Sequence, residues 1–114
     1  HVGHNGRLGG HVILANNVHL GGYVRIGEHA TLGGSVVVHQ HVAIGRMAMI
    51  GGFMAVRQDV PPFALCGGDG AALTALNRVG LRRRGFSAGE RARLKDAYRL
   101  LWFSRLPQAD ALAM

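Results

Sequence analysis

The sequence is poor in several residue types, and each shortage excludes a class of protein. Cys66 is the single cysteine, so the chain cannot form an internal disulfide, and a reducing, cytoplasmic location is expected. No apolar run approaches the ~20 residues that a membrane-spanning helix needs, and neither a signal peptide nor a transit segment is visible. Prolines are few, and the adjacent pair Pro61–Pro62 predicts that regular structure stops there.

Acidic residues are also scarce, and the resulting positive charge lies mainly in the C-terminal part. The chain has 13 Lys and Arg against 6 Asp and Glu, a net charge of +7. Most of the basic residues lie at or beyond Arg78, including the run Arg82–Arg84. Such a surface attracts nucleic acid, an anionic membrane, a phosphorylated substrate or an acidic protein. Nucleic acid is the weakest of these partners, because the patch has no interleaved aromatic residues.

What the chain does contain is a six-residue repeat that runs from Val2 to Pro61. All ten first positions are aliphatic, the second is Gly or Ala in eight of ten, and the fifth is always Gly, Ala, Val or Met. A helix cannot keep this period on one face, whereas a strand that turns a corner every six residues can. The first position is expected to point inward, the fifth to fill the space beside it, and the glycine at the second to lie near the corner, where a Cβ would be strained.

Three hexads make one triangular coil of 18 residues, and such coils stack at the strand spacing of ~4.8 Å. The repeat resembles that of the hexapeptide-repeat acyltransferases, which implies a left-handed parallel β-helix. The predicted fold class is therefore an all-β solenoid plus α. It comprises β-helix coils over 1–62, a linker over 63–71 and a C-terminal helical domain over 72–114. The alternative to this fold is a different Gly-rich β-solenoid. Because the chain begins inside a hexad, we expect it to be part of a longer protein.

The C-terminal part carries helix signals. Residues 72–83 are predicted to be helical, with apolar residues spaced for one face. Ser87 and Glu90 form a capping box that predicts the start of a helix of about 17 residues. Leu106–Pro107 is predicted to end that helix, and another is predicted to start at Ala109.

Residues 18 apart are predicted to lie above one another, which collects polar side chains on one edge of the prism. His4 then stacks on Gly22 and Gln40. Because Gly21 and Gly22 lack side chains, a cleft is predicted between the polar groups. The edge as a whole carries His1, His4, His19, Tyr23, His39, Gln40 and His41.

A histidine-rich edge also raises the question of zinc. The γ-class carbonic anhydrases place zinc on this kind of fold, with two ligand histidines five residues apart in one chain. No pair of histidines here has that spacing, and the cluster holds no cysteine or carboxylate, so no metal site is predicted. His11 and His29 stack on another edge and are interpreted as solvent-facing spacers.

Longer motifs narrow the resemblance to one family. They are HVGHN (1–5), ILANN (13–17), LGGYV (20–24), VVHQHVAIG (37–45), MIGG (49–52), QDVPPF (58–63) and GLRRRGFS (80–87). Without a gap from His1 to about Ser87, the chain resembles the UDP-N-acetylglucosamine O-acyltransferases of lipid A biosynthesis. The resemblance implies a homotrimeric, cofactor-free enzyme. It would move a 3-hydroxyacyl chain from acyl carrier protein to the 3-hydroxyl of UDP-N-acetylglucosamine, the first step of lipid A biosynthesis.

The resemblance also implies roles for individual residues. His4 matches the family's general base, a task that suits histidine because its ordinary pKa lies near neutrality. Gly22 matches the glycine whose backbone N–H holds the thioester oxyanion. Gly52 matches the position that limits acyl length, and a glycine there leaves room for a longer chain. The residues implied to bind substrate are His1, Tyr23, His39, Gln40 and, near the nucleotide, Asn77, Arg83 and Arg84.

Four positions depart from the family's pattern, and other functions stay open. Asn5 stands where the family commonly has Asp, Tyr23 and Gly70 where it has His, and Val79 where it has an acidic residue. Because an amide cannot stabilise imidazolium by charge, the orientation of the base is the open question. The alternatives are an acetyl-CoA-dependent sugar or serine acetyltransferase of the same repeat class, and a non-catalytic or zinc-binding trimeric β-helix protein.

Overall fold

The first of two compact units is a solenoid of short parallel strands. The structure is a computed structural model that describes residues 1–67 and 73–109, and the chain divides into His1–Gly80 and Leu81–Met114. Along the described coils, nine two-residue strands follow one another. They are β1 Arg7–Leu8, β2 Ile13–Leu14, β3 His19–Leu20, β4 Arg25–Ile26, β5 Thr31–Leu32, β6 Val37–Val38, β7 Ala43–Ile44, β8 Met49–Ile50 and β9 Ala55–Val56.

Each of the strands β1 to β6 pairs in parallel with the strand three further along the chain, which produces three faces. The first face is β3-β6-β9, the second is β1-β4-β7, and the third contains β2-β5-β8. On the first face His19 pairs with Val37, and Val37 with Ala55. The predicted coil of 18 residues is thereby confirmed, and so is the left-handed parallel β-helix.

The interior is built from the first and fifth positions of the hexads. Burying each such aliphatic side chain stabilises the fold by roughly 1.5–3 kcal/mol. Val2 and Leu8 are 43% and 44% exposed, because no coil covers them in this structure. The first positions of the later coils are at most 3% exposed: Leu20, Ile26, Leu32, Val38, Ile44, Ile50 and Val56.

The second position of the hexad is glycine for a reason that differs from the expected one. A Cβ on Gly21 would lie 2.6 Å from the backbone nitrogen of Gln40, and one on Gly33 would lie 2.7 Å from that of Gly52. The left-handed backbone lies instead at the fourth position, with φ of 57° at Asn5 and similar values in every later hexad through Phe53. The glycines therefore serve close approach between coils, and the strained corner is occupied by residues that carry side chains.

The solenoid continues past the proline pair, which corrects two predictions. Strand β10, Ala64–Cys66, pairs in parallel with β8, so the predicted linker over 63–71 is wrong for these residues. Strand β11, Leu73–Leu76, pairs antiparallel with β10, so the predicted helix over 72–83 is wrong there. Residues 68–72, including Gly70, lie outside the described residues.

The pattern failed because the fourth coil is shorter. Val60 pairs with Ile44 and Cys66 with Ile50, a separation of 16 residues instead of 18. A reading frame of six therefore loses its phase after β9, although the inward-facing residues continue.

Two helices follow the strands. Helix α1 spans Arg78–Arg83 and helix α2 spans Ala88–Ala109. Helix α2 passes through Pro107, so its predicted end there is wrong: a proline removes one hydrogen bond and favours a kink without always ending a helix. The helix start predicted at Ala109 falls mostly outside the described residues, and a separate domain over 72–114 stays a prediction. Neither helix, over the residues described, combines the length and the apolarity that crossing a membrane requires.

Candidate functional site

The corner between the first and second faces carries most of the predicted site residues. We name it the histidine edge and define it as residues 3–6, 21–24 and 39–42. The backbone N–H of Tyr23 donates to the carbonyl of His4 at 3.0 Å, and that of His41 donates to the carbonyl of Gly22 at 2.9 Å. The structure thus places His4 and Gly22 one coil apart at equivalent positions, as the 18-residue spacing predicts.

The His4 ring packs against Gly22. A Cβ built on Gly22 would lie 3.1 Å from the Nε2 atom of His4 and 3.2 Å from its Cε1 atom. The imidazole therefore fills the space that a side chain at position 22 would need. The predicted cleft is wrong in this respect, because the ring of His4 covers the glycine step.

The backbone N–H of Gly22 is free to bind a ligand. Its neighbours are committed: the N–H of Gly21 donates to Val38 at 2.9 Å, and that of Tyr23 donates to His4. Within the described part of the chain, the N–H of Gly22 has no protein acceptor. The corner geometry leaves third-position N–H groups free in the other hexads too, but Gly22 is distinguished by the imidazole beside it. A free N–H next to a histidine can stabilise a negatively charged oxygen.

Tyr23 holds the His4 ring from the side. The two rings meet edge to face, with centroids 5.3 Å apart at 85°. On the next coil, the His41 ring stacks on that of Tyr23, with ring centroids 4.8 Å apart and an angle of 6° between the ring planes. Such pairs contribute ~0.5–1.5 kcal/mol beyond burial. His41 was not among the predicted site residues, although its spacing of 18 from Tyr23 signals the stack.

Ring packing, and not Asn5, orients His4. No hydrogen bond from any described residue reaches the His4 imidazole. Asn5 instead lines a surface groove together with Tyr23 and His41. The amide that replaces the family's usual Asp is therefore not used here to hold the ring.

The other predicted residues fall into two groups. His1, His39 and Gln40 are exposed on or beside the histidine edge, and the His1 ring lies 6.3 Å from that of His19. Gly52 lies on another corner, where a Cβ would meet the Gly34 carbonyl at 3.3 Å. The structure thus places these residues on or beside one corner of the solenoid and Gly52 on another.

Asn77 has a structural role that the sequence reasoning missed. Its side chain is buried, its Nδ2 donates to the Met47 carbonyl at 2.8 Å, and its Oδ1 accepts from the Gly80 N–H at 3.1 Å. The second bond makes Asn77 the N-cap of α1, which the position of an Asn before a helix could have signalled. Arg83 and Arg84 belong to the second unit and are exposed.

A metal site and a reactive cysteine are the remaining kinds of reactive group to be considered in the described residues. Among the residues that the structure describes, no group of three or more His, Cys, Asp or Glu side chains is placed to hold a metal ion. Burial raises the pKa of the Cys66 thiol, so this cysteine stays protonated and is a poor nucleophile.

The coils and the histidine edge define the class: this chain is a hexapeptide-repeat protein with a left-handed parallel β-helix. A family model described as UDP N-acetylglucosamine O-acyltransferase, domain 2, matches residues 59–114. The acyl-[acyl-carrier-protein]--UDP-N-acetylglucosamine O-acyltransferase of Burkholderia mallei is 45% identical over 97% of this chain and 42% of its own length. The chain belongs to the UDP-N-acetylglucosamine O-acyltransferase family.

Solved structures agree with this assignment. The UDP-N-acetylglucosamine acyltransferase of Arabidopsis superimposes with a TM-score of 0.85 at 42% identity, over 89% of this chain and 35% of that one. The enzyme of the same name from Campylobacter jejuni superimposes with a TM-score of 0.80 at 43% identity, over 84% of this chain and 38% of that one. The chain spans less than half the length of the relatives that it matches.

Proposed function

We propose that the protein transfers a 3-hydroxyacyl chain from acyl carrier protein to the 3-hydroxyl of UDP-N-acetylglucosamine, the first step of lipid A biosynthesis. Family membership supports the reaction class, and the names of the relatives specify an acyl-carrier donor and this sugar nucleotide as acceptor. The observation that carries the proposal is the His4 ring packed 3.1 Å from the Cβ position of Gly22, whose N–H has no acceptor among the described residues.

In the proposed mechanism His4 is the general base. Its neutral imidazole takes the proton from the 3-hydroxyl while that oxygen attacks the thioester carbonyl carbon. The new C–O bond forms, and the carbonyl oxygen becomes an oxyanion that accepts a hydrogen bond from the Gly22 N–H. When the C–S bond breaks, the thiolate leaves and receives the proton from His4. Protons balance, and no cofactor is needed.

The same proposal assigns supporting roles to the other residues. Tyr23 keeps the base in place, because its ring touches that of His4. His1, His39 and Gln40 bind the sugar nucleotide from the same edge. Asn77, Arg83 and Arg84 act near the nucleotide; for Asn77 the proposed role is to hold the start of α1, since both polar atoms of its side chain are engaged.

A homotrimer is part of the proposal. Gly52 and His4 lie on the two corners that border the first face, and in a trimer an acyl chain that reaches both positions would lie between two subunits. Closed cyclic assembly meets that requirement with a single repeated interface. The exposed basic residues of the second unit suit the acidic carrier protein. A cytoplasmic location stays a prediction that rests on the single cysteine.

The test is an assay of the full-length protein with UDP-N-acetylglucosamine and 3-hydroxyacyl carrier proteins of several chain lengths, with acetyl-CoA as the competing donor. We expect turnover with the carrier-bound acyl groups and acceptance of the longer chains, because Gly52 leaves room. Gly52→Met should shift the preference to shorter chains. Turnover with acetyl-CoA alone would assign the protein to the other acyltransferases of the class.

A further inference from the structure

Two arginines lie side by side on the second face. Arg7 and Arg25 are in-register partners on the parallel strands β1 and β4, and both are exposed. Like charges on directly opposed strand residues destabilise a sheet. Among the described residues no carboxylate pairs with either guanidinium. A repulsive pair without a compensating acid points to a bound anion as its partner.

The arginines open onto a groove beside the histidine edge. That groove is lined by Asn5, Gly6, Arg7, Tyr23, Arg25 and His41. Tyr23 touches His4, and Asn5 is its neighbour in sequence, so the groove begins next to the proposed base. The column of arginines ends at Ala43, whose N–H is occupied by the Asp59 carboxylate at 2.9 Å.

The lining chemistry selects an anion with several oxygens. The groove offers two guanidinium groups, an amide, a phenol and an imidazole, and none of the lining residues is acidic. Guanidinium groups bind phosphate oxygens in pairs, and the coil spacing of ~4.8 Å lets two of them grip one tetrahedral group. We propose that Arg7 and Arg25 bind a phosphate ester group of a substrate at this groove.

This inference rests on the proposed function for the source of the phosphate. In that reaction a phosphate ester occurs in the diphosphate of the sugar nucleotide and in the phosphopantetheine arm of the acyl carrier protein. Both present the same chemistry to the groove, and kinetics can separate them. The groove begins beside Tyr23, which touches His4. The diphosphate is attached to the sugar ring that carries the reacting hydroxyl, whereas the phosphate of the arm lies at the opposite end from the thioester.

Binding is tested first, without turnover. UDP and pantetheine 4′-phosphate are titrated separately into the full-length protein at low and moderate salt. Arg7→Gln combined with Arg25→Gln should weaken binding of one probe about 10- to 100-fold, the range expected when charge-assisted hydrogen bonds are lost, and should reduce its salt dependence. Arg57→Gln is the matched control, because Arg57 is exposed on the fourth coil and does not line the groove.

Steady-state kinetics then identifies the source. A rise in KM for UDP-N-acetylglucosamine assigns the groove to the diphosphate, and a rise in KM for the acyl carrier protein assigns it to the phosphopantetheine arm. Arg7→Gln alone and Arg25→Gln alone should each give part of this rise in KM. The proposal would be overturned if the double variant had probe dissociation constants and both KM values within twofold of those of the Arg57→Gln control. Loss of subunit assembly as the main effect of the double variant would also overturn it.

The two proposals fail separately. If the native protein binds a phosphate probe through the arginines but transfers no acyl group, the proposed function is wrong and the anion site stands. If transfer proceeds and the arginine variants behave as the control, the function stands and the anion site is wrong.

Discussion

Gly22 and Gly34 occupy the same position of the hexad on different corners, and their surroundings differ. A Cβ on Gly22 would lie 3.1 Å from the His4 ring, whereas one on Gly34 would meet only the Asn16 carbonyl, at an ordinary contact distance of 3.6 Å. Neither residue has a left-handed φ. We expect Gly22→Ala to displace the ring and lower kcat about 100-fold, the scale of losing general-base catalysis. Gly34→Ala should behave as the native protein in the same transfer assay.

The stability of Gly22→Ala distinguishes a displaced His4 ring from a damaged fold. Because the His4 ring is exposed and can move aside, Gly22→Ala should change the free energy of unfolding by less than about 1 kcal/mol. Native kcat in Gly22→Ala would show that the ring contact is irrelevant to the chemistry.

Tyr23 offers a second test at the same scale. Tyr23→Ala removes the contacts with both His4 and His41, and Tyr23→Phe keeps them. If packing positions the base, Tyr23→Ala lowers kcat about tenfold with little change in KM, and Tyr23→Phe restores most of the rate. An equal loss of kcat in both variants would mean that the phenol hydroxyl, and not the ring, positions His4.

The sequence predicts the neighbours of His4 better than their contacts. A register of 18 residues is enough to place Gly22 and Gln40 beside it. Whether the ring lies over Gly22 or turns to Asn5 depends on side-chain torsions, which a periodic pattern does not determine. The engagement of Asn77 was missed for the same reason, because its partner Met47 is far away in sequence.

At the scale of elements, Asn77 links the coils to α1. Asn77→Ala removes the cap and leaves the buried Met47 carbonyl without its donor. We expect a loss of ~2–3 kcal/mol in the free energy of unfolding. Asn77→Ser keeps a cap oxygen and loses the amide donor without setting a second oxygen against the Met47 carbonyl, so it should fall between alanine and the native protein. A native midpoint of denaturation for Asn77→Ala would contradict this account.

The capping box of α2 makes a prediction about pH. The Ser87 N–H donates to the Glu90 carboxylate at 2.7 Å, and the Glu90 N–H donates to the Ser87 hydroxyl at 3.1 Å. The bonds to Ser87 hold the pKa of Glu90 below its ordinary value. The contribution of this carboxylate to helix stability is therefore present above the ordinary pKa and is lost as pH falls through the lowered one. NMR titration of Glu90 should show the lowered value, and Ser87→Ala should raise it.

Element boundaries were predictable only where the period held. Nine strands follow from the hexads because inward and outward residues alternate with a fixed spacing. The fourth coil breaks that spacing at Val60, so β10 was mistaken for linker. Leu73 and Leu76 have the spacing of a helical face, but pairing with β10 makes them part of a strand.

At the scale of the whole molecule, the proposed base and most of the positive charge belong to different units. The histidine edge belongs to the first unit, and most basic side chains belong to the second, including Arg91, Arg93 and Lys95. This distribution suits the proposed reaction, in which an acidic carrier protein is the donor and a nucleotide sugar is the acceptor. The fold class was predictable because a repeat multiplies one weak signal many times. The homotrimer rests on the family resemblance and stays a prediction, because an interface leaves no period in the sequence.

The most direct test of the account is the rate of acyl transfer by the full-length protein carrying His4→Ala. We predict that kcat falls at least ~100-fold, the scale expected when a general base is lost, while the dissociation constant of UDP-N-acetylglucosamine stays within a few-fold of the native value. Turnover close to that of the native protein would contradict the assignment of His4 as the base.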